Sequence, residues 1–234
     1  MWNAERRFQG QSDIPLDEIG QAQAERAARL LAGLRPDMIV SSDLSRAAST
    51  AAWLARLTGL DVILDKDLRE RHGGCWEGLT DAEIRERYPE AHATWTPPDG
   101  EPTAVVADRV AAALQRIAAG VTETDPAAAS PATSPATTST ATTSTTATIP
   151  ATTISAGPGS AAPAETDRLA VVVSHGAALR LGMSRLLSMP EELFGVLGPL
   201  SNCSWSVLGV RRGRWRLLEH NAGTLPEPIL SDDR

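Results

Sequence analysis

Three side chains in this sequence stand where chemistry on an anionic group could be assembled. His175 ends the stretch Leu169-Ala170-Val171-Val172-Val173-Ser174 and precedes Gly176-Ala177-Ala178-Leu179-Arg180-Leu181. The β-branched run reads as a strand buried on both faces, and the Ala/Leu-rich run after it as a helix. His175 therefore falls at the carboxyl edge of a strand and just before a helix N-terminus. Open α/β sheets bind ligands there, and free N–H groups favour anions. Arg46 lies in Ser41-Ser42-Asp43-Leu44-Ser45-Arg46-Ala47, in the first turn of a helix that follows a strand. Its planar donor fork suits a phosphate. Glu70 sits in Leu68-Arg69-Glu70-Arg71-His72-Gly73-Gly74, a glycine-rich loop, where a carboxyl group can act as general acid or base. Taken singly, each also has a plain reading: a strand-end His, a surface Arg and a solvated loop Glu.

The elements that must position these groups follow from pattern. Pro15 fits the first turn of a helix whose apolar face carries Leu16, Ile19, Ala27, Leu30 and Leu31, ending near Gly33. Asp37–Ser42 reads as a short strand, Asp43 as the N-cap of a helix over Leu44–Leu57, and Asp61–Leu64 as a second strand. The loop Leu68–Gly78 leads to a helix from Thr80 to Tyr88, with Thr80 and Glu83 spaced as a capping box. Residues 95–102 form a loop, and an amphipathic helix runs from Thr103 to about Val121. Residues 122–168 change abruptly to Ala, Thr, Ser and Pro. Such a segment buries too little to offset its ordering entropy, and is expected to be a disordered insertion within a single domain spanning 1–234. A helix to about Ser188, a short helix after Pro190 and two strands, near Trp205–Val210 and Trp215–Glu219, close the chain. Alternating strands and helices indicate an α/β layered fold.

Composition narrows the classes. The 234 residues carry a formal charge of -7, which argues against a general nucleic-acid or anionic-membrane binder. Two cysteines, Cys75 and Cys203, are too few for a disulfide framework, and a reducing cytoplasm is the default compartment. The start Met1-Trp2-Asn3-Ala4-Glu5-Arg6-Arg7 lacks the apolar stretch of a signal peptide, and no apolar run approaches membrane-spanning length. The cysteines lack the paired spacing of a zinc site, and no carboxylate cluster suggests another metal or cofactor.

Together these residues resemble the histidine phosphatase superfamily, with its phosphoglycerate mutase-like fold. The resemblance covers nearly the whole chain outside the insertion. It rests on Trp2-Asn3, Phe8-Gln9-Gly10-Gln11-Ser12-Asp13-Ile14-Pro15-Leu16, Gly20, Ser41-Ser42-Asp43-Leu44-Ser45-Arg46-Ala47, Leu68 through Thr80, and Val173-Ser174-His175-Gly176. It implies a three-layer α/β/α sandwich around a mostly parallel sheet. It also implies a phosphoester pocket at the carboxyl ends of the strands, no cofactor, and a small phosphorylated metabolite as partner, with homodimerisation left open. By resemblance Arg46 clamps the phosphoryl oxygens, His175 donates to them as charge develops, and Glu70 protonates the leaving alcohol and then activates water. For the first step Glu70 must be a neutral acid, with its pKa raised by the phosphate. Asn3 adds a phosphate contact, Gln9 and Gly10 border the substrate side, and Gly176 opens the helix under the phosphate. Trp76 and Trp95 flank the pocket mouth.

The sequence departs from the family at the nucleophile. The Arg-His-Gly motif whose His attacks phosphorus belongs just before Trp2-Asn3, where this chain has Met1, and the strand that delivers it is missing too. A central strand contributes about 1.5–3 kcal/mol per buried side chain, and its loss leaves the ladder groups of both neighbours unpaired. The expectation is therefore that the natural product begins upstream of Met1. Three functions follow: a phosphatase working through phosphohistidine, a mutase-like phosphotransferase, or an inactive phosphoester-binding protein. Mutases carry extra basic residues after the Glu loop, whereas Tyr88 to Pro102 supplies no Lys or Arg, which favours hydrolysis. Within the phosphatases, Gly198-Pro199-Leu200-Ser201-Asn202-Cys203-Ser204-Trp205 and the Glu loop are similar to those of the glucosyl-3-phosphoglycerate phosphatases.

Overall fold

The computed structural model describes residues 2, 5–123, 149–151 and 168–223. Its strands are β1 (Met38–Ser41), β2 (Val62–Leu64), β3 (Ile149–Ala151), β4 (Arg168–Val173), β5 (Trp205–Arg211) and β6 (Arg214–Ala222). Its helices are α1 (Glu18–Ala32), α2 (Ser45–Thr58), α3 (Asp81–Arg87), α4 (Pro89–Ala93), α5 (Thr103–Glu123) and α6 (Gly176–Leu186). The main sheet has the order β2-β1-β4-β3. β1 lies parallel to both β2 and β4, whereas β3 lies antiparallel to β4. β5 and β6 form a separate antiparallel hairpin.

Two-residue alternation splits the sheet's side chains between two helical layers. Ile39, Val171 and Val173 pack with Ala28 and Leu31 of α1 and Ala47, Ala51 and Leu54 of α2. Val40, Ala170 and Val172 point the other way, onto Val106, Val110 and Leu114 of α5 and Ala178 and Leu181 of α6. The chain is thus a three-layer α/β/α arrangement with a parallel centre, as expected. α5 and α6 approach closely because Gly182 has no side chain; a Cβ there would overlap Val110.

Local capping differs from expectation at two helices. α1 begins at Glu18 rather than in the turn of Pro15, because Asp17 is extended and its carboxylate accepts from the Gly20 N–H at 2.9 Å. Asp43 does not cap α2. Its carboxylate pairs with both arms of Arg69, at 2.7 and 2.6 Å. The N-cap residue Leu44 makes no side-chain cap bond, and the Ser45 N–H donates instead to Asp13 in the N-terminal loop, at 2.7 Å. The capping box at Thr80 and Glu83 forms as its spacing requires. Directly after α3, Pro89 starts the further short helix α4 from its first position.

The disorder expected for residues 122–168 falls outside the described residues except at 122–123, 149–151 and 168. There α5 continues to Glu123, Ile149–Ala151 pair with β4, and Arg168 opens β4. Among the described residues no helix is long and apolar enough to cross a membrane.

Candidate active site

The register of β1 on β4 builds the first half of the site. Ser41 pairs with Val173, and the Ser42 N–H donates to the Val173 carbonyl at 2.8 Å, so both chains leave the sheet at one level. The Ser174 hydroxyl then donates to the Leu68 carbonyl at 2.7 Å, drawing the start of the glycine-rich loop to the same edge. His175, in extended conformation, is the N-cap residue of α6. Its Nε2 lies 2.9 Å from the Ser42 hydroxyl, and the residue is only 4% exposed. Burial, reinforced by the positive charges of Arg46 and Arg109, pushes the imidazole well below its ordinary value, so it is neutral near pH 7.

Glu70 reaches the same helix end. One carboxylate oxygen accepts from Ala178 N–H at 2.9 Å and from Arg71 N–H at 2.7 Å; the other accepts from Ala177 N–H at 3.2 Å. A carboxylate on the first turn of a helix is held by orphan donors and by the positive end of the dipole. The acid/base candidate and His175 therefore share the α6 N-terminus.

Arg46 approaches from α2. Its two Nη groups donate to the carbonyls of Gly10 and Ser12, at 2.7 and 2.9 Å, and no other partner for the guanidinium occurs among the described residues. Burial depresses its pKa, opposed by the carboxylates of Glu70, Asp13 and Glu77, and an Arg remains cationic under such a shift. Gly10 is in the left-handed region at φ 52°, and a Cβ there would collide with the Glu77 carboxylate. The Gln9 carbonyl accepts from Ser12 N–H at 3.1 Å, closing the same turn. Gly176 is the first residue of α6. The structure thus gathers Arg46, Glu70, His175, Gly10 and Gly176 in one neighbourhood, with Gln9 in the bordering loop; Asn3 lies outside the described residues.

Several residues that hold the site were not singled out by sequence. Glu77 accepts from Gln11 N–H and Gly73 N–H, both at 2.9 Å, and from the Ser12 hydroxyl at 2.6 Å, joining the N-terminal loop to the Glu loop. Burial raises the Glu77 pKa, but these donors and the nearby His72 outweigh it and hold the group below its ordinary value. Ser42, Asp13 and Arg109 complete the frame. Their one sequence signal is position, at a strand end, in the turn-rich loop and on the amphipathic α5. Trp76 does not flank a pocket mouth. It is fully buried, with its ring 6.0 Å from Phe8 and 5.1 Å from Trp95. The other imidazoles lie elsewhere: His72 is exposed with Nε2 3.8 Å from Glu77, His92 faces Asp81, and His220 lies between Ser206 and the Gly198 carbonyl. Among the described residues no three His, Cys, Asp or Glu side chains are grouped to hold a metal ion.

A buried cation, a neutral imidazole and a helix N-terminus around a carboxylate are suited to binding an anion and moving a proton beside it.

Comparison with known proteins agrees with this geometry. The profile of the histidine phosphatase superfamily (branch 1) matches residues 1–130 and 159–223. Glucosyl-3-phosphoglycerate phosphatase of Mycobacterium tuberculosis is 34% identical over 220 residues, covering 92% of this chain and 81% of that protein. The protein of the same name from Mycolicibacterium vanbaalenii is 33% identical over 238 residues, covering 94% of this chain and 89% of its own. The solved structure of the mycobacterial glucosyl-3-phosphoglycerate phosphatase with VO3 superposes with a TM-score of 0.74 at 32% identity, covering 95% of this chain and 94% of that one.

Proposed function

This chain belongs to the histidine phosphatase superfamily, and from that premise we propose that it hydrolyses a small phosphomonoester, with a glucosylated phosphoglycerate as the leading substrate class. The observation that carries the proposal is the convergence of Glu70 and His175 on the N-terminus of α6, with the buried charge of Arg46 acting on both. The relatives' names support the substrate class, and the absence of Lys or Arg between Tyr88 and Pro102, where mutases carry extra basic residues, supports hydrolysis over phosphotransfer.

In the proposed reaction the guanidinium of Arg46 turns its remaining donors to the phosphoryl oxygens. The neutral imidazole of His175 enters as a hydrogen-bond donor and gains proton affinity as negative charge arrives. Its field is then largest where the transition state is most anionic. Glu70, protonated as the bound phosphate raises its pKa, supplies the proton that neutralises the departing alkoxide, and then, as a carboxylate, receives one from the attacking water. A phosphohistidine route, as in the family, requires an attacking imidazole that none of the four His residues of this sequence supplies. His175 is the donor to the phosphoryl oxygens, and His72, His92 and His220 face Glu77, Asp81 and Ser206.

That last observation supports a second reading, in which the protein binds phosphoesters without turning them over. Orthophosphate release from glucosyl-3-phosphoglycerate by the native protein separates the two. The phosphatase reading expects release that falls by about 100-fold or more in Glu70→Gln and is impaired in Arg46→Met. Saturable binding of the ester with no release supports the second reading. Release indifferent to both substitutions overturns the roles assigned to Glu70 and Arg46.

A further inference from the structure

The guanidinium of Arg109, on α5, is fully engaged, and most of its bonds go to the backbone beneath Glu70. Nη1 donates to the carbonyls of Asp67 and Arg69 at 2.9 and 2.7 Å, and Nη2 to the carbonyl of Glu70 at 3.1 Å. Nε and Nη2 also form a fork on the Glu101 carboxylate, at 2.6 and 2.7 Å. All five donors of the side chain are thereby used. Glu101 is stitched to the same loop: its N–H donates to the His72 carbonyl at 2.9 Å, its carbonyl accepts from Arg71 Nε at 2.9 Å, and its carboxylate accepts from His72 N–H at 3.3 Å. The Gln11 side-chain amide takes the other side of the Glu70 carbonyl, at 3.0 Å.

We infer that Arg109 is a positioning residue for the proposed phosphatase reaction, its fork fixing the backbone from Asp67 to Glu70 so that the Glu70 carboxylate meets the N-terminus of α6. The inference rests on the proposed function for its catalytic consequence but not for its geometry. Glycine-rich loops have many conformations of similar energy, and the two 3₁₀ turns on either side, Lys66–Leu68 and Gly74–Trp76, leave residues 69–73 without a backbone ladder. A bonded fork from a rigid helix replaces that ladder. The charge has a second effect, since beyond burial the charges of Arg46 and Arg109 both oppose protonation of His175.

Arg109→Lys and Arg109→Gln separate these effects. Lysine keeps the charge but cannot span three carbonyls and a carboxylate, whereas glutamine loses both. With wild type as reference, the expected result is kcat lowered by about 100-fold in each, the scale of a misplaced catalytic group, with KM changed by less than about threefold. The His175 titration, followed by NMR of its ring, moves upward in Arg109→Gln and stays near the wild-type position in Arg109→Lys. Amide exchange at residues 67–71 accelerates in both. A kcat within twofold of wild type in Arg109→Lys, with unchanged exchange at 67–71, overturns the inference. If the wild type releases no orthophosphate, the phosphatase reading fails on its own. The exchange and titration readouts then decide the positioning role: faster exchange in both variants upholds it and unchanged exchange rejects it. Should Arg109→Gln not fold, Glu101→Gln, which weakens one arm of the fork, takes its place, with faster exchange at 67–71 expected and wild-type exchange counting against the inference.

Discussion

His175 Nε2 and the Ser42 hydroxyl lie 2.9 Å apart across the carboxyl ends of two adjacent parallel strands. The imidazole is buried, so its nitrogen has no water to turn to if the hydroxyl is lost. Ser42→Ala should therefore destabilise the fold by about 1–3 kcal/mol, the cost of an orphaned buried polar atom. Ser42→Thr, which keeps the hydroxyl, should recover most of it. Urea midpoints of the three proteins at neutral pH check this; equal midpoints for Ala and wild type would show that the contact contributes nothing.

The depressed titration of His175 sets a direction for stability against pH. The unfolded chain protonates this residue near pH 6.5, while the folded chain resists because of burial and then the charges of Arg46 and Arg109. Between the two values the unfolded state holds the extra proton, so stability rises with pH through that window and falls as pH drops below about 6.5. The slope from this one group approaches about 1.4 kcal/mol per pH unit. Asp43 and Glu77, both lowered, add losses of the same sign but only in the carboxylate range. His175→Gln should flatten the curve just below pH 6.5 and leave its carboxylate-range limb in place, as unfolding free energies measured across that range would show.

Phosphate should reverse the shift. A dianion beside His175 favours the imidazolium, so binding is expected to draw a proton from solution near neutral pH. Calorimetry of orthophosphate binding in two buffers of different ionisation enthalpy reads that uptake directly. Part of it should be lost in His175→Gln and part in Glu70→Gln, and uptake unchanged in both would assign the proton to another group.

Gly10 and Glu77 should couple. Alanine at 10 must adopt φ near 52° and also meet the Glu77 carboxylate. The left-handed conformation alone costs about 1–2 kcal/mol, and the collision adds to it. In a Glu77→Ala background only the backbone cost remains, although that background has itself lost the acceptor for Gln11, Ser12 and Gly73. The double-mutant cycle should return an interaction energy of about 0.5–3 kcal/mol; strict additivity would contradict the contact.

Thr80→Ala provides a contrast. Removing the Thr80 hydroxyl abolishes half of the capping box of α3 and should cost about 1 kcal/mol. That hydroxyl bonds to Glu83, within its own helix turn and apart from Arg46, Glu70 and His175. Phosphate affinity should therefore stay at the wild-type value by titration.

Sequence alone determined what depends on near neighbours along the chain. The β-branched run before His175 could only be a buried strand, the Thr80 and Glu83 spacing could only close on itself, and the hairpin around Arg211-Arg212-Gly213 formed between the strands expected for it. The motif residues Arg46, Glu70 and His175 each sit at a recognisable strand end, helix start or glycine loop, but position alone also allowed a plain reading of each. It was the resemblance across the whole set of motifs that singled them out together. What only the tertiary structure decided was which partner each polar group takes. Asp43 had the right spacing to cap α2, yet it pairs with Arg69, 26 positions away, and the cap is supplied by Asp13, 32 positions before Ser45. Ser42 meets His175 across 133 positions, and Arg109 reaches back 39 to the Glu70 carbonyl. Such choices depend on the register of parallel strands and on the layer a helix occupies. Those are properties of the packed sheet, and a polar side chain carries no local periodicity that announces them.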